Sequence, residues 1–282
     1  MSFKANSPNV HFMIYDPVLG LVFIKTTKVA GSSFEVAIAP LLSDQAIITL
    51  NERWVADSVA AKTIQLRNTH WLPPKRLAAQ VLRHRHEALS IPADILRGRG
   101  SRHECFSFEK DHMTAQQIRD QIGQTEWDRC LKVAIIRNPY ERVVSDYFMK
   151  RGRSSSPNDF PPISEWLRRN PERILRNEQI LRLSETGTDQ SLQKQIDLDF
   201  VIKYEHFETD LMRLSNELGI DGLKLCERFR STRVHSEYKS NQASMSKKFA
   251  LDPQSKLLID SLLSWKFEAF GYEPVAHINK TA

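Results

Sequence analysis

Two clusters of side chains in this 282-residue chain have the types and spacing that bind an oxyanion. The first is Lys25, Thr26, Thr27, Lys28, Ser32 and Ser33, gathered around one glycine, Gly31. Ammonium groups, hydroxyls and the bare N–H groups of a helix start all donate hydrogen bonds, and together they favour phosphate or sulfate. The second is Arg137 and Ser145, separated by Asn138-Pro139-Tyr140 and the turn that follows. A guanidinium fork donates two hydrogen bonds to one phosphate. A serine two turns along the next helix can grip the same group from another side. Each cluster also has a plainer reading: a polar turn between a buried strand and a helix for the first, and a helix-capping Arg with a surface Ser for the second.

The positioning elements follow from periodicity. Leu21-Val22-Phe23-Ile24 is a short apolar run of strand length. Phe34, Ala37, Ile38, Leu41 and Leu42 then recur at the spacing of one helix face. The order is strand, loop, helix. It is not a nucleoside-triphosphate loop, because no G-x-x-x-x-G-K-[ST] occurs and the lysines precede the glycine. Val133–Ile136 reads as a buried parallel strand. Asn138 can cap a helix whose first position suits Pro139, and Tyr140, Val143, Val144 and Tyr147 form its apolar stripe. Arg137 therefore sits at the carboxyl end of a strand, where open α/β sheets bind ligands. The fold class expected is α/β, a central parallel sheet flanked by helices, with a P-loop-like strand–loop–helix core. Residues 10–16 and 20–25 should form a hairpin across Pro17–Gly20, and 46–50 a further short strand. Thr114 and Gln117 make a capping-box pattern for a helix stopped by Gly123. Helices are also expected at Ile163–Arg169, Arg173–Leu183, Phe207–Leu218 (ended by Gly219) and Leu257–Phe267, with a strand at Phe200–Lys203. Residues 152–162 and 231–248 read as polar, irregular segments. The charged, proline-interrupted stretch 51–110 reads as an acceptor-side insert within one domain covering 1–282.

Composition narrows the class. A hydrophobic share of 41% and a charged share of 26% are ordinary for a globular protein. The net charge of +6 suits anionic ligands and attracts nucleic acid only weakly, and no nucleic-acid-binding motif accompanies it. The densest basic stretch, Arg83-His84-Arg85-His86 with Arg97, Arg99, Arg102 and His103, reads as a solvated face or as a surface for an acidic acceptor. No apolar run is long enough to span a membrane, and the first residues lack the apolar core of a signal peptide, so a cytoplasmic protein is expected. Cys105, Cys130 and Cys226 are widely spaced, which points to free thiols in a reducing compartment and to no metal site.

Lys28-Val29-Ala30-Gly31-Ser32-Ser33 and Arg137-Asn138-Pro139 with Ser145 together resemble the motifs of sulfotransferases that use 3′-phosphoadenosine 5′-phosphosulfate (PAPS). The resemblance is to the branch containing the uronyl 2-O-sulfotransferases and related bacterial proteins. It extends to 112–149, 199–219 and the closing Ala269-Phe270-Gly271-Tyr272-Glu273-Pro274. Val29 stands where Thr is common. The resemblance implies a loop of Lys25, Thr27, Lys28, Val29, Ala30, Gly31, Ser32 and Ser33 around the 5′-phosphosulfate, with Lys28 at the bridging oxygen. It implies Arg137 and Ser145 on the 3′-phosphate, closed over by Arg233 and Lys239 from a late basic loop, 230–239. His112 matches the spacing of a catalytic base, and histidine as a residue type titrates near neutrality. His103, His70 and Glu35 are the alternatives, although Glu35, lying off the apolar stripe, reads first as solvated. Trp127, Tyr140 and Tyr238 are candidates for an adenine clamp. The implied reaction is metal-free sulfuryl transfer to a hydroxyl, less readily an amine, of an acceptor such as a carbohydrate. A nucleotide-dependent phosphotransferase of similar fold and a non-catalytic module for anionic glycans remain as other readings.

Overall fold

A computed structural model describes residues 14–48, 112–183, 196–232 and 251–274. Its centre is a five-stranded sheet: β1 (Ile14–Asp16), β2 (Leu21–Ile24), β3 (Ile47–Ile48), β4 (Leu131–Ile136) and β5 (Phe200–Lys203), in the spatial order β3-β1-β2-β4-β5. β2, β4 and β5 run parallel, with Ile24 opposite Ala134 and Ile136 opposite Lys203. β1 is antiparallel to both β2 and β3. The expectation of a parallel sheet therefore holds for one half only. The tight Pro17–Gly20 turn leaves no length for a crossover, so the first two strands pair as a hairpin, and the sheet is mixed.

Both faces are covered. Because side chains alternate along a strand, Leu21, Phe23, Val133, Ile135 and Ile202 point to one face. There they meet Phe34, Ala37 and Ile38 of α1 (Gly31–Ile38) and the apolar stripe of α7 (Phe207–Leu218). Phe23 and Phe34 pack as tilted rings 4.7 Å apart. On the opposite face Val22, Ile24 and Ala134 meet Ile118 and Ile122 of α2 (Ala115–Ile122), Trp127 of α3 (Gln124–Arg129) and Leu181 of α6 (Arg176–Leu181). Strands buried on both faces read as unbroken apolar runs, which is how 21–24 and 133–136 look.

A third cluster is wholly helical. It joins α4 (Pro139–Gly152), α5 (Ile163–Arg169), α9 (Pro253–Leu262) and α10 (Ser264–Phe270) through Val143, Tyr147, Trp166, Leu167, Ile259, Leu263 and Phe267. The single helix expected over Leu257–Phe267 is two helices that break at Leu263, a buried residue that anchors the bend. Likewise the expected Arg173–Leu183 helix is a 3₁₀ turn, Pro171–Arg173, followed by the short α6, because Pro171 starts its own tight turn. α8 (Gly222–Ser231), capped by Asp221, has no counterpart among the elements expected from periodicity. Its Leu225 and Cys226 add only two buried positions to the core. Gly219 ends α7 in the left-handed region at φ 65°, as a C-terminal glycine does.

The hairpin is locked by one buried carboxylate. Asp16 accepts the Val18 and Leu19 N–H groups at 2.9 and 3.1 Å and the Ser43 N–H and Oγ–H at 2.7 Å each. It ties the β1–β2 turn to the segment after α1. Asp16→Ala leaves these four part-buried donors without their acceptor and should lower unfolding stability by about 3 kcal/mol. Asp16→Asn should cost less, since it keeps one acceptor oxygen. Urea denaturation of the two variants checks this, and a midpoint unchanged in Asp16→Ala would remove the lock.

Candidate functional site

The three parallel strands end on one edge of the sheet, and the residues that follow them make the site. Continuing the β2–β4 register past Ile24 and Ala134 brings Thr27 opposite Arg137. Continuing the β4–β5 register past Ile136 and Lys203 brings Arg137 opposite Tyr204. Thr26 confirms the first alignment, for its hydroxyl donates to the Ile135 carbonyl at 2.5 Å. The Arg137 guanidinium confirms the second, lying 4.4 Å from the centre of the Tyr204 ring.

The loop between β2 and α1 is braced from below at several points. Lys25 runs inward, and its ammonium meets Glu35 at 2.5 Å, both side chains being nearly inaccessible. Gly31 makes room for it, since a Cβ there would lie 3.2 Å from the Lys25 Cγ. Thr27 is held by Asn177 of α6. Its N–H and hydroxyl both donate to Asn177 Oδ1, at 2.8 and 2.7 Å, and its carbonyl accepts from Asn177 Nδ2 at 3.1 Å. Val29 is buried in the core. Lys28 and Ala30 both adopt positive φ, 63° and 62°, which L-residues rarely do. The alternation of anchored and left-handed residues turns the chain sharply into α1. The first N–H groups of a helix lack intrahelical acceptors, and Ala30, as N-cap, has no side chain to supply one. The amides of Gly31, Ser32 and Ser33 therefore form a donor cluster at the positive end of the helix dipole, with no acidic residue in the first turn. Ser32 is half-buried and Ser33 buried.

On the β4 side, Asn138 caps α4 by accepting the Tyr140 and Glu141 N–H groups, with Pro139 at the first position. Its own N–H donates to Glu205 at 2.7 Å, and Glu205 also accepts from the Tyr272 hydroxyl at 2.9 Å. Burial, then the Glu205 carboxylate, pushes the Tyr272 hydroxyl upward, so it stays protonated and donating. Arg137 pairs with Glu141 of the same helix at 2.7 Å, a carboxylate that is 58% exposed. Ser145 lies one turn beyond Glu141 and is buried, not a surface serine. Arg142, three residues before Ser145 on the same helix, is fully buried and donates to the Arg173 and Ile174 carbonyls. Its burial lowers the guanidinium from the usual arginine range, opposed by Glu178 and Asp146. Glu178 in turn holds the buried Lys266 ammonium at 2.8 Å.

His112 joins the loop. Its Nδ1 lies 2.8 Å from the Lys25 carbonyl. A carbonyl can only accept, so Nδ1 carries the proton and the lone pair of the neutral ring is on Nε2. The position is set by the next residues: Met113 is buried in the core, and Thr114 and Gln117 close the expected capping box at the start of α2.

Several sequence expectations change here. Glu35 is not solvated; it is 1% exposed and is the counter-ion of Lys25. The Lys25 ammonium consequently braces the loop from inside rather than facing its mouth. Trp127 is no adenine clamp, since it is fully buried on the far sheet face with Nε1 donating to Asp197 at 2.7 Å. Tyr140, in contrast, keeps the core role that its place on the apolar stripe predicts, packing on Phe267 at 5.4 Å and giving its hydroxyl to Asp260. Cys130 and Cys226 are buried free thiols, and burial pushes Cys130 up to about 11, away from thiolate reactivity. Asn177, Glu205 and Tyr204 carried no sequence signal, because each acts through a partner distant in the chain. His70, His103, Cys105, Arg233, Tyr238, Lys239, the 83–103 basic stretch and the 51–110 insert lie outside the described residues. Among the described residues no group of three or more His, Cys, Asp or Glu is placed to hold a metal, and no helix is long and apolar enough to cross a membrane.

The profile of the sulfotransferase family matches residues 11–273, nearly the whole chain. No curated protein and no solved structure matches it.

Glu35→Ala should strand the Lys25 ammonium in an apolar surround and cost about 3–5 kcal/mol, the range for removing one partner of a buried pair. Replacing both residues, Lys25→Met with Glu35→Leu, should recover most of that loss. Chemical denaturation of the single and double variants measures the coupling, and additive losses would mean that the pair does not act as a unit.

Proposed function

The chain belongs to the sulfotransferase family, whose reaction is transfer of a sulfuryl group, and we propose that its donor is PAPS and its acceptor a hydroxyl, with a carbohydrate the favoured class. The observation that supports this reading is that an anion-ready helix start, 31–33, and Arg137 follow two adjacent parallel strands at the same edge of the sheet. A donor with phosphates at both the 5′ and 3′ positions needs two such sites a nucleoside apart.

In this reading the amides of Gly31, Ser32 and Ser33 and the two serine hydroxyls hold the 5′-phosphate. Lys25, Thr27, Val29 and Ala30 shape the loop around it. Lys28 neutralises the bridging oxygen as the S–O bond breaks and 3′,5′-adenosine bisphosphate leaves. The acceptor oxygen attacks sulfur in line, and its proton passes to His112 Nε2. Arg137 and Ser145 take the 3′-phosphate. A phosphate dianion is a stronger partner than the exposed Glu141 carboxylate and displaces it from Arg137. Arg233 and Lys239 are assigned to close over the same phosphate. The reaction moves one sulfuryl group and one proton and requires no metal, unlike phosphoryl transfer. A cytoplasmic setting, a single domain over 1–282 and an acceptor-side role for 51–110 belong to the same proposal.

Calorimetry should show 3′,5′-adenosine bisphosphate binding far more tightly than adenosine 5′-phosphate, since each charge-assisted bond to the 3′-phosphate is worth about 1.5–3 kcal/mol. Equal affinities would refute the donor assignment. With radiolabelled donor and a panel of hydroxyl acceptors, Lys28→Ala should abolish transfer in a chain that stays folded. His112→Ala should lower kcat by roughly 10²–10⁴-fold with donor affinity nearly unchanged, and the acidic limb of the pH–rate profile should disappear. A fully active His112→Ala would move the role of base to His103 or His70, Glu35 being committed to Lys25.

A further inference from the structure

Asn177 is distant in sequence from every residue assigned to the donor, yet its side chain makes three hydrogen bonds to Thr27 of the loop. It is 1% exposed. Its amide accepts the Thr27 N–H and hydroxyl and donates to the Thr27 carbonyl. An amide that answers both the N–H and the C=O of one residue does what a neighbouring strand would do, and it does so at Thr27, three residues beyond the end of the β2 ladder at Ile24. The next residue is Lys28, at φ 63°, and Ala30 follows at φ 62°. Left-handed conformations in residues with a Cβ persist only where the surroundings impose them. Val29, buried between the two, is one such anchor, and Asn177 on Thr27 is the other.

The base of this clamp reaches the second half of the site. Asn177 lies on α6, directly after the Arg173 and Ile174 carbonyls that accept the buried Arg142 guanidinium. Arg142 belongs to α4, the helix that carries Ser145 and follows Arg137. The neighbouring Glu178 is fixed by Lys266 of α10. Two hydrogen-bonded links therefore connect α4 to the β2–α1 loop through α6.

We propose that Asn177 is a positioning residue that holds the β2–α1 loop in its left-handed course, so that Lys28 and the 31–33 amides converge on the 5′-phosphate of the donor. This rests on the donor reading given above. The clamp acts on the 5′ end only, because its hydrogen bonds go to Thr27, whereas Arg137 and Ser145 are placed by the β4–α4 junction and its Asn138 cap.

The test separates the two ends of the ligand. The full-length chain and Asn177→Ala are titrated with 3′,5′-adenosine bisphosphate, adenosine 5′-phosphate and adenosine 3′-phosphate, with folding verified by circular dichroism. Asn177→Ala should weaken the two 5′-phosphorylated ligands about tenfold or more, and leave adenosine 3′-phosphate within about twofold, a tenfold change being 1.4 kcal/mol. A merely structural residue would weaken all three alike, and that result, or an unchanged bisphosphate affinity, overturns the proposal. If Asn177→Ala does not fold, Asn177→Asp keeps the acceptor for Thr27 and loses the donation to its carbonyl. It should show the same pattern at smaller amplitude, and a uniform response there overturns the proposal too. A wild-type chain that binds none of the nucleotides refutes the donor reading instead. The clamp is then read from hydrogen exchange at the Thr27 amide, which should be protected in the wild type and in Asn177→Asp, which keeps its acceptor, and lose that protection in Asn177→Ala; an amide equally protected in Asn177→Ala overturns it.

Discussion

The parallel ladder between β2 and β4 is the constraint on which the site depends. Parallel neighbours place their carboxyl ends on the same edge, so the loops that leave them emerge side by side. The register, Ile24 opposite Ala134, brings Thr27 level with Arg137. A slip of one residue would turn Val22 and Ile24 from the face of α2 and α3 to that of α1, against the burial of every neighbouring side chain. The apolar packing on both faces thus specifies the register, and the register specifies which polar residues meet at the edge.

Beneath that edge the protein buries charge. Lys25 with Glu35, Lys266 with Glu178, and Arg142 on two carbonyls are all nearly inaccessible. Such pairs add little net stability, because desolvation offsets much of their attraction. Their geometry is nevertheless demanding, since any displacement leaves a charge unanswered in a poor dielectric. They act as fixed struts: one ties the end of β2 to α1, one ties α6 to α10, and one ties α4 to the segment before α6. A loop with two residues in the left-handed region needs such support, and Val29 and Asn177 complete it.

At the edge itself α1 presents a first turn without acidic residues, and the acidic groups nearby are either engaged or exposed. Glu205 accepts from Asn138 N–H and from Tyr272. Glu141 faces solvent while it pairs with Arg137. The chain belongs to the sulfotransferase family, and it is to this edge that the proposal above assigns the donor. Arg137, stacked on Tyr204, keeps its planar face supported whichever oxygen it pairs with.

What the sequence by itself determined was local. The apolar runs at 21–24 and 133–136, the Asn138-Pro139 helix start, the Thr114/Gln117 capping box and the Gly219 stop depend on neighbours within a few residues, and all are present as expected. The strand–loop–helix order and the strand-end position of Arg137 were legible for the same reason. Tertiary structure decided the rest. The mixed sheet depends on which strand the hairpin pairs with, and the break at Leu263 on what that residue packs against. Glu35 looked solvated because helical periodicity counts apolar faces and cannot see an ammonium arriving from Lys25. Asn177 was invisible because an amide in a short polar helix gives no sign of its partner until the fold brings it to Thr27. Backbone hydrogen bonds and alternation are set over short spans of chain, whereas ion pairs and side-chain clamps are set by proximity in space, and only folding creates that.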